Sequence, residues 1–415
     1  MSLYAHRVSQ CLALLCLSLL TGCDDQSGTS GILVVDGYRF NFKGERATRT
    51  EGGIIPATAG TIIVDNRFGA VEIATGDADE EPRWQWEISC WAGSVAEATE
   101  YTRQITCEVD SNNGEYRWKL EIPKTPGESL TGVRSNVALL VPANVEVQLI
   151  NAYGDSNIHG IQGGTQARCQ FGNLGLFELE GQVDASLKHG DLTVTKLSDC
   201  VLANMQGDVV VTDVSGELKV TSSHGDVILT GLEQGAKVEH SFGNVNVVRV
   251  QEKLVVRTEH AAVHVEDAQG DLDLKTTFGK LEVKQAAGLL MLRNEFGDVI
   301  VDGGSRVDAA TKFGDLKVAT TAAEVRCHTE HGKISIHCQG TSLQNVYAQG
   351  SFGDLKLRVP AGVQPTVEAA VEFGKIKSPF AVLPLEKGVD NFADLPDGAP
   401  RISLQASHGD IQIEQ

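Results

Sequence analysis

Phe278-Gly-Lys-Leu-Glu-Val283, Phe296-Gly-Asp-Val-Ile-Val301 and Phe313-Gly-Asp-Leu-Lys-Val318 are successive copies of one pattern. A ring precedes a glycine, a polar residue follows, and then come two apolar residues separated by one. Upstream copies read Phe171-Gly-Asn-Leu-Gly-Leu176, His189-Gly-Asp-Leu-Thr-Val194, His224-Gly-Asp-Val-Ile-Leu229 and Phe242-Gly-Asn-Val-Asn-Val247. Downstream stands His331-Gly-Lys-Ile-Ser-Ile336, and Phe352, Phe373 and His408 open later copies. The step between glycines is about 18 residues. Ala261 fills the one gap in the series.

Each copy has a second half. Apolar pairs follow the glycine directly (Val209/Val211, Val227/Leu229, Val263/Val265) and recur nine residues later (Leu218/Val220, Leu254/Val256, Leu272/Leu274). Alternation with period two is the mark of a strand with one buried face. A unit this short cannot bury that face alone, but stacked copies can, each strand pairing in parallel with its equivalent one coil on. The expected fold is therefore all-β: a parallel β-solenoid with about 18 residues per coil. Helical spacing is missing from the repeats. A stack of antiparallel hairpins is the rival, and the constant step argues against it. Two interior ladders are expected, one aliphatic and one formed by the Phe/His position.

The pattern fades toward both ends. Residues 60–74, around Thr61-Ile-Ile-Val64, read as a first coil, with 23–59 as a preceding tether. Residues 75–150 differ in composition and hold all four tryptophans. There Ser94 and Glu97 form a capping box ahead of Val95, Ala98, Thr102 and Ile105 at helical spacing. Trp84/Trp86 and Tyr116/Trp118 alternate as on strands, and Asn112-Asn-Gly114 marks a hairpin. This predicts a small α+β insert before a main solenoid over 151–378. Residues 379–400 carry several prolines and read as an excursion that caps the stack, and 401–415 as a terminal strand.

Acidic residues outnumber basic ones 55 to 35, a formal charge of −20, with no Lys/Arg run in the sequence. That disfavours nucleic acid and anionic lipid as partners. Arg7 precedes the apolar stretch Cys11–Leu20, which is short for a membrane span and suits a signal peptide over 1–22. Leu20-Thr21-Gly22-Cys23 then resembles a bacterial lipobox, which implies lipidation of Cys23 and attachment to the membrane by acyl chains. A plain secretory signal with a coincidental cysteine is the alternative. Asp24 and Asp25 resemble an inner-membrane retention signal of enteric bacteria. Export permits disulfides, and Cys90 and Cys107, which flank the helical segment, are the expected pair.

Taken together, the leader, the early coil, the one-helix insert, Leu140-Val-Pro142 and the Phe/His-Gly-Asp repeats resemble the bacterial putative-adhesin β-solenoid domains of unknown function. The resemblance covers nearly all of 60–415. It implies an envelope-associated protein and carries over no catalytic residue.

Each candidate site has a competing packing role. Cys327-His-Thr-Glu-His331 through His337-Cys338 invites a metal, but the repeat register points these side chains in different directions. The acids after the glycines (Asp191, Asp208, Asp226, Asp298, Asp315, Asp354) could hold Ca²⁺, yet Lys280, Lys333 and Lys375 share their position. They read as turn acids bonding the backbone. Trp84, Trp86, Tyr116 and Trp118 are the candidate ligand surface, for a glycan, with a strand core as the competing reading. No nucleophile elbow, zincin or phosphate-loop motif occurs. The expectation is thus a non-enzymatic envelope lipoprotein, adhesin-like or scaffolding, with no cofactor, binding envelope or extracellular polymers. A polysaccharide-active lyase or hydrolase on the same scaffold is the alternative.

Overall fold

The computed structural model describes residues 33–35, 38–77, 79–123, 129–340, 342–384 and 400–415. Cys23 and the leader lie outside these residues, as does most of the 379–400 excursion. The chain divides into two compact units. One comprises residues up to 48 with 89–103 and 123–133; the other comprises 49–88, 104–122 and 134–415. The segment 75–150 therefore contributes to both.

The first unit carries the helix Val95–Gln104. The Ser94 hydroxyl accepts the Glu97 N–H at 3.3 Å and donates to the Glu97 carboxylate at 3.2 Å, which closes the cap. Phe42 meets Trp91 edge to face at 5.2 Å.

The second unit is the solenoid. Each coil contributes one strand to each of two sheets. Strands that end in the motif ring form the first sheet, such as Leu218–His224, Ala236–Phe242 and Leu254–His260. Strands that follow the motif glycine form the second, such as Val227–Leu232 and Val245–Val250. Within each sheet neighbours pair in parallel and in register, as Leu218↔Ala236↔Leu254 and Val227↔Val245↔Val263. The core lies between the sheets and consists of like residues stacked coil on coil. Val220, Val238, Val256 and Leu274 are fully buried, as are Leu229, Val247 and Val265. Alternation alone would leave Leu197, Val214 and Val250 facing outward. A left-handed residue just before each (Lys196, Asp213 and Arg249, φ 56–61°) turns them back into the core.

Order along the chain departs from order in the stack at both ends. The coil at 61–75 is not outermost. Its strand Thr61–Phe68 pairs on one side with Glu115–Glu121 and on the other with Glu146–Tyr153. Likewise Val71–Thr75 lies between Gly132–Val141 and Ser156–His159. Parts of the expected insert are thus coils of the solenoid itself. The C-terminal strands are not terminal either. Arg401–His408 runs between Asn345–Phe352 and Thr366–Phe373, and Ile411–Glu414 between Leu355–Arg358 and Ile376–Lys377. The physical reason is the same at each end. The chain leaves the stack and resumes it elsewhere, so chain order and stack order differ: after 61–75 it lays a strand on one side of that coil and then continues on the other, and 401–408 enters between two strands already placed.

Candidate functional site

The recurrent residues form the corners of the coils. At Gly225 the backbone is left-handed (φ 111°), and a Cβ there would lie 2.3 Å from the carbonyl oxygen of Gly207 one coil away. At Gly243 the corresponding distance, to Gly225, is 2.0 Å. Glycine is needed both for the turn and for the close approach. The next residue ties the coils together. The Asp208 carboxylate accepts the Asp226 N–H at 2.8 Å, and Asp226 accepts that of Asn244 at 2.8 Å. Asp191, Asp298, Asp315 and Asp354 do the same for the coils that follow them. The acid column is therefore engaged with backbone, as its turn position suggested.

A further column, three residues before the glycine, was not singled out from the sequence. Asn204, Thr276, Asn294, Thr311 and Thr329 are buried polar residues among aliphatic neighbours. The Asn204 amide donates to the carbonyls of Gly190 and Gly207 at 3.1 and 3.0 Å, Asn294 to Gly279 at 2.7 Å, and Thr311 to Gly297 at 3.1 Å. Corner carbonyls turned inward by the glycine thus find their donors here. The signal was a polar side chain at an inward-facing position of every copy from Asn204 to Thr329. His240 occupies this column too. It is 3% exposed, its ring nitrogens lie beside the backbone of Ser222 and Gly243 without closing a well-formed hydrogen bond, and burial lowers its pKa.

The aromatic column is not interior. Phe242, Phe278, Phe296 and Phe313 are 40–44% exposed. The expected inward placement fails because the corner glycine turns the chain away from the strand, leaving the preceding ring at the rim, where no opposing sheet covers it. The rings shield one another instead. Phe242, His260, Phe278, Phe296, Phe313 and His331 stack in sequence with centroids 4.7–5.1 Å apart and planes within 8°. The run ends Phe352–His408–Phe373, following the wedged C-terminal strand. Because each face is covered by a neighbour, the column offers solvent ring edges. Sugars stack on ring faces, so the column is not a series of sugar platforms.

Nor do the tryptophans form an open platform. Trp84, Trp86, Tyr116 and Trp118 are at most 9% exposed. Trp86 donates to Ser135 Oγ at 2.8 Å and meets Trp118 edge to face at 6.0 Å, with the Arg49 guanidinium 5.2 Å from its ring. Burial pushes the Tyr116 hydroxyl up to about 12. The candidate ligand surface is core, because the alternating aromatics face the opposing strands.

Of the two cysteines expected to pair, Cys90 is buried and Cys107 half-buried. Their strands, Arg83–Ala92 and Thr106–Asn112, belong to different sheets. Cys327 and Cys338 are buried thiols, with Cys338 pushed up to about 12 by burial. His328 and His337 lie outside the core on separate sheets and His331 lies in the ring column. Among the described residues no group of three or more His, Cys, Asp or Glu is placed to hold a metal ion.

Two shallow grooves lie on the outer faces. One, of about 440 Å³, crosses the first sheet at Ser223, Ser241 and Thr277, rimmed by Glu239, Arg257 and Lys275. The other, of about 360 Å³, crosses the second sheet at Lys317, Lys333, Ser335, Lys356 and Gln412. Coil stacking brings these three lysines together from positions 16–23 residues apart in sequence.

This architecture coincides with a family model, Toastrack DUF4097, which matches residues 69–373. The chain belongs to the Toastrack DUF4097 family. No curated protein matches it. Among solved structures it is similar to a "putative cell adhesion protein" from Clostridium sporogenes, at 9% identity and a TM-score of 0.18 over 89% of this chain and 100% of that one. It is also similar to a "Putative lipid binding protein" from Parabacteroides distasonis, at 14% identity and a TM-score of 0.24 over 71% of this chain and 97% of that one. At these scores neither likeness bears on function. For this Toastrack chain the fold is that of a solenoid whose signature residues serve the stack.

Proposed function

We propose that this Toastrack protein is a non-enzymatic component of the cell envelope. Its solenoid acts as a rigid, adhesin-like or scaffolding surface for envelope or extracellular polymers, held at the membrane by lipid on Cys23. One observation carries the reading: the recurrent side chains are committed to joining coils. Asp226 and its equivalents hold backbone N–H groups, and Asn204 and Asn294 hold corner carbonyls. What remains for recognition is the outward positions, arrayed at the regular interstrand spacing of about 4.8 Å. Such a surface suits a repetitive ligand better than a single small molecule.

The test incubates the full chain with neutral and acidic polysaccharides and follows both binding and cleavage. Binding without new reducing or unsaturated ends is expected. Turnover of any polymer would transfer the case to a polysaccharide-active enzyme. Cys23→Ser should move the protein from the membrane to the soluble fraction, and unchanged membrane retention would contradict lipid attachment.

A further inference from the structure

The second groove stands out by charge. In a chain of formal charge −20, its neighbourhood gathers Lys317, Lys333, Lys356, Arg358, Lys375 and Lys377, all exposed. The register orders them. On the outer face of the second sheet one column runs Lys317↔Ser335↔Lys356↔Gln412↔Lys377. A cation stands on every second strand, with a hydroxyl or an amide between. Two interstrand steps separate consecutive lysines by about 10 Å. The wedged C-terminal strand is essential to this order, because it supplies Gln412 and sets Lys377 two steps beyond Lys356.

Acids are present, and their engagement matters. The Asp315 carboxylate accepts the Lys333 N–H, that of Asp354 the Asp410 N–H, and that of Asp410 the Lys375 N–H, at 2.9–3.1 Å. Lys356 pairs with Glu414 at 2.7 Å, and Lys333 lies 3.8 Å from Asp354. Asp315, Asp354 and Asp410 are thereby held at the corner by backbone, while Lys317 and Lys377 extend from the flat of the sheet.

We propose that this lysine column binds a linear acidic glycan bearing one carboxylate per disaccharide, laid along the stack with its carboxylates on alternate strands. The lysine interval is close to the repeat of an extended β-linked disaccharide. Ser335 and the Gln412 amide oxygen supply hydrogen bonds to the hydroxyls of the intervening sugars, the Gln412 Nε2 being held by Glu414 at 2.8 Å. An anionic membrane is the other source of negative charge. The ordered alternation of cation and neutral polar group along one line favours a polymer over a plane of headgroups. The inference rests on the polymer-binding reading above and deepens it by naming the ligand class.

The test measures binding of the full chain to hyaluronate, to neutral dextran of the same length, and to vesicles containing anionic phospholipid. Hyaluronate should bind preferentially, and more weakly as salt is raised. The triple variant Lys317→Ala/Lys356→Ala/Lys377→Ala should lose about tenfold in hyaluronate affinity, as three exposed ion pairs predict. The corresponding Lys→Arg variant should retain binding, and Lys237→Ala on the first sheet should not change it. If dextran binds as well as hyaluronate, or the triple variant binds hyaluronate unchanged, the column is not the site while the polymer reading stands. Vesicle binding without hyaluronate binding overturns the inference in favour of a membrane. If no polysaccharide of either kind is held, both the inference and the reading beneath it fail.

Discussion

His240→Asn should stabilise the protein and reduce its sensitivity to acid. In the native chain the His240 ring is buried in the polar column beside the Ser222 and Gly243 backbone, with neither nitrogen in a well-formed hydrogen bond. Four other positions of that column carry Asn (Asn66, Asn151, Asn204 and Asn294), and each donates to a corner carbonyl. Asn at 240 would meet the carbonyls of Gly225 and Gly243 in the same way. Two net hydrogen bonds are worth about 1 kcal/mol each, while the amide oxygen, unpartnered at Asn204 and Asn294, offsets any relief of the ring. The smaller side chain leaves a void that costs about 1 kcal/mol. The balance is a gain of about 1 kcal/mol at pH 7.5. The acid effect has a definite sign. Burial holds the folded imidazole below its usual value of 6.5, so the unfolded chain binds the proton more tightly. Stability contributed by the neutral ring is complete above that value and is lost as pH falls through it toward the folded pKa. Urea unfolding at pH 7.5 and 5.5, followed by circular dichroism, should show a higher midpoint for the variant and a smaller drop between the two pH values. A variant that is less stable at pH 7.5 and loses as much on acidification would refute this account of the column.

Gly243→Ala should cost about 3 kcal/mol, from the left-handed strain together with the clash against the Gly225 carbonyl, measured by the same unfolding assay. Phe296→Asp, at a rim position 40% exposed, should cost about 1 kcal/mol, whereas Leu292→Asp in the core should prevent folding; comparable soluble yields of the two would contradict the rim placement. Deleting 401–415 removes a coil from within the stack rather than from its end, so Thr366–Phe373 should lose protection from proteolysis along with the deleted segment. Protection of 366–373 at the native level would show that the wedged strand is dispensable.

The sequence alone determined the coil. Glycine recurs with the step because each corner must turn left-handed against the corner before it, and aliphatic residues alternate because one strand face must leave water. These are local demands that recur at every layer, so one copy read carefully describes the next, and the acid after Gly225 could be recognised as a turn acid on the same grounds. Three features depended on the third dimension. The ring column lies at the rim because the glycine redirects the chain after the ring, and alternation continued past Ser222 and His240 placed it inside. The strands at 61–68 and 401–408 are wedged between coils because the chain leaves the stack and returns to it, a path that a repeat pattern does not record. The lysine column exists only because stacking lines up Lys317, Lys356 and Lys377 on one face. Along the chain these charges are scattered among an excess of acids, and only the parallel register brings them into line.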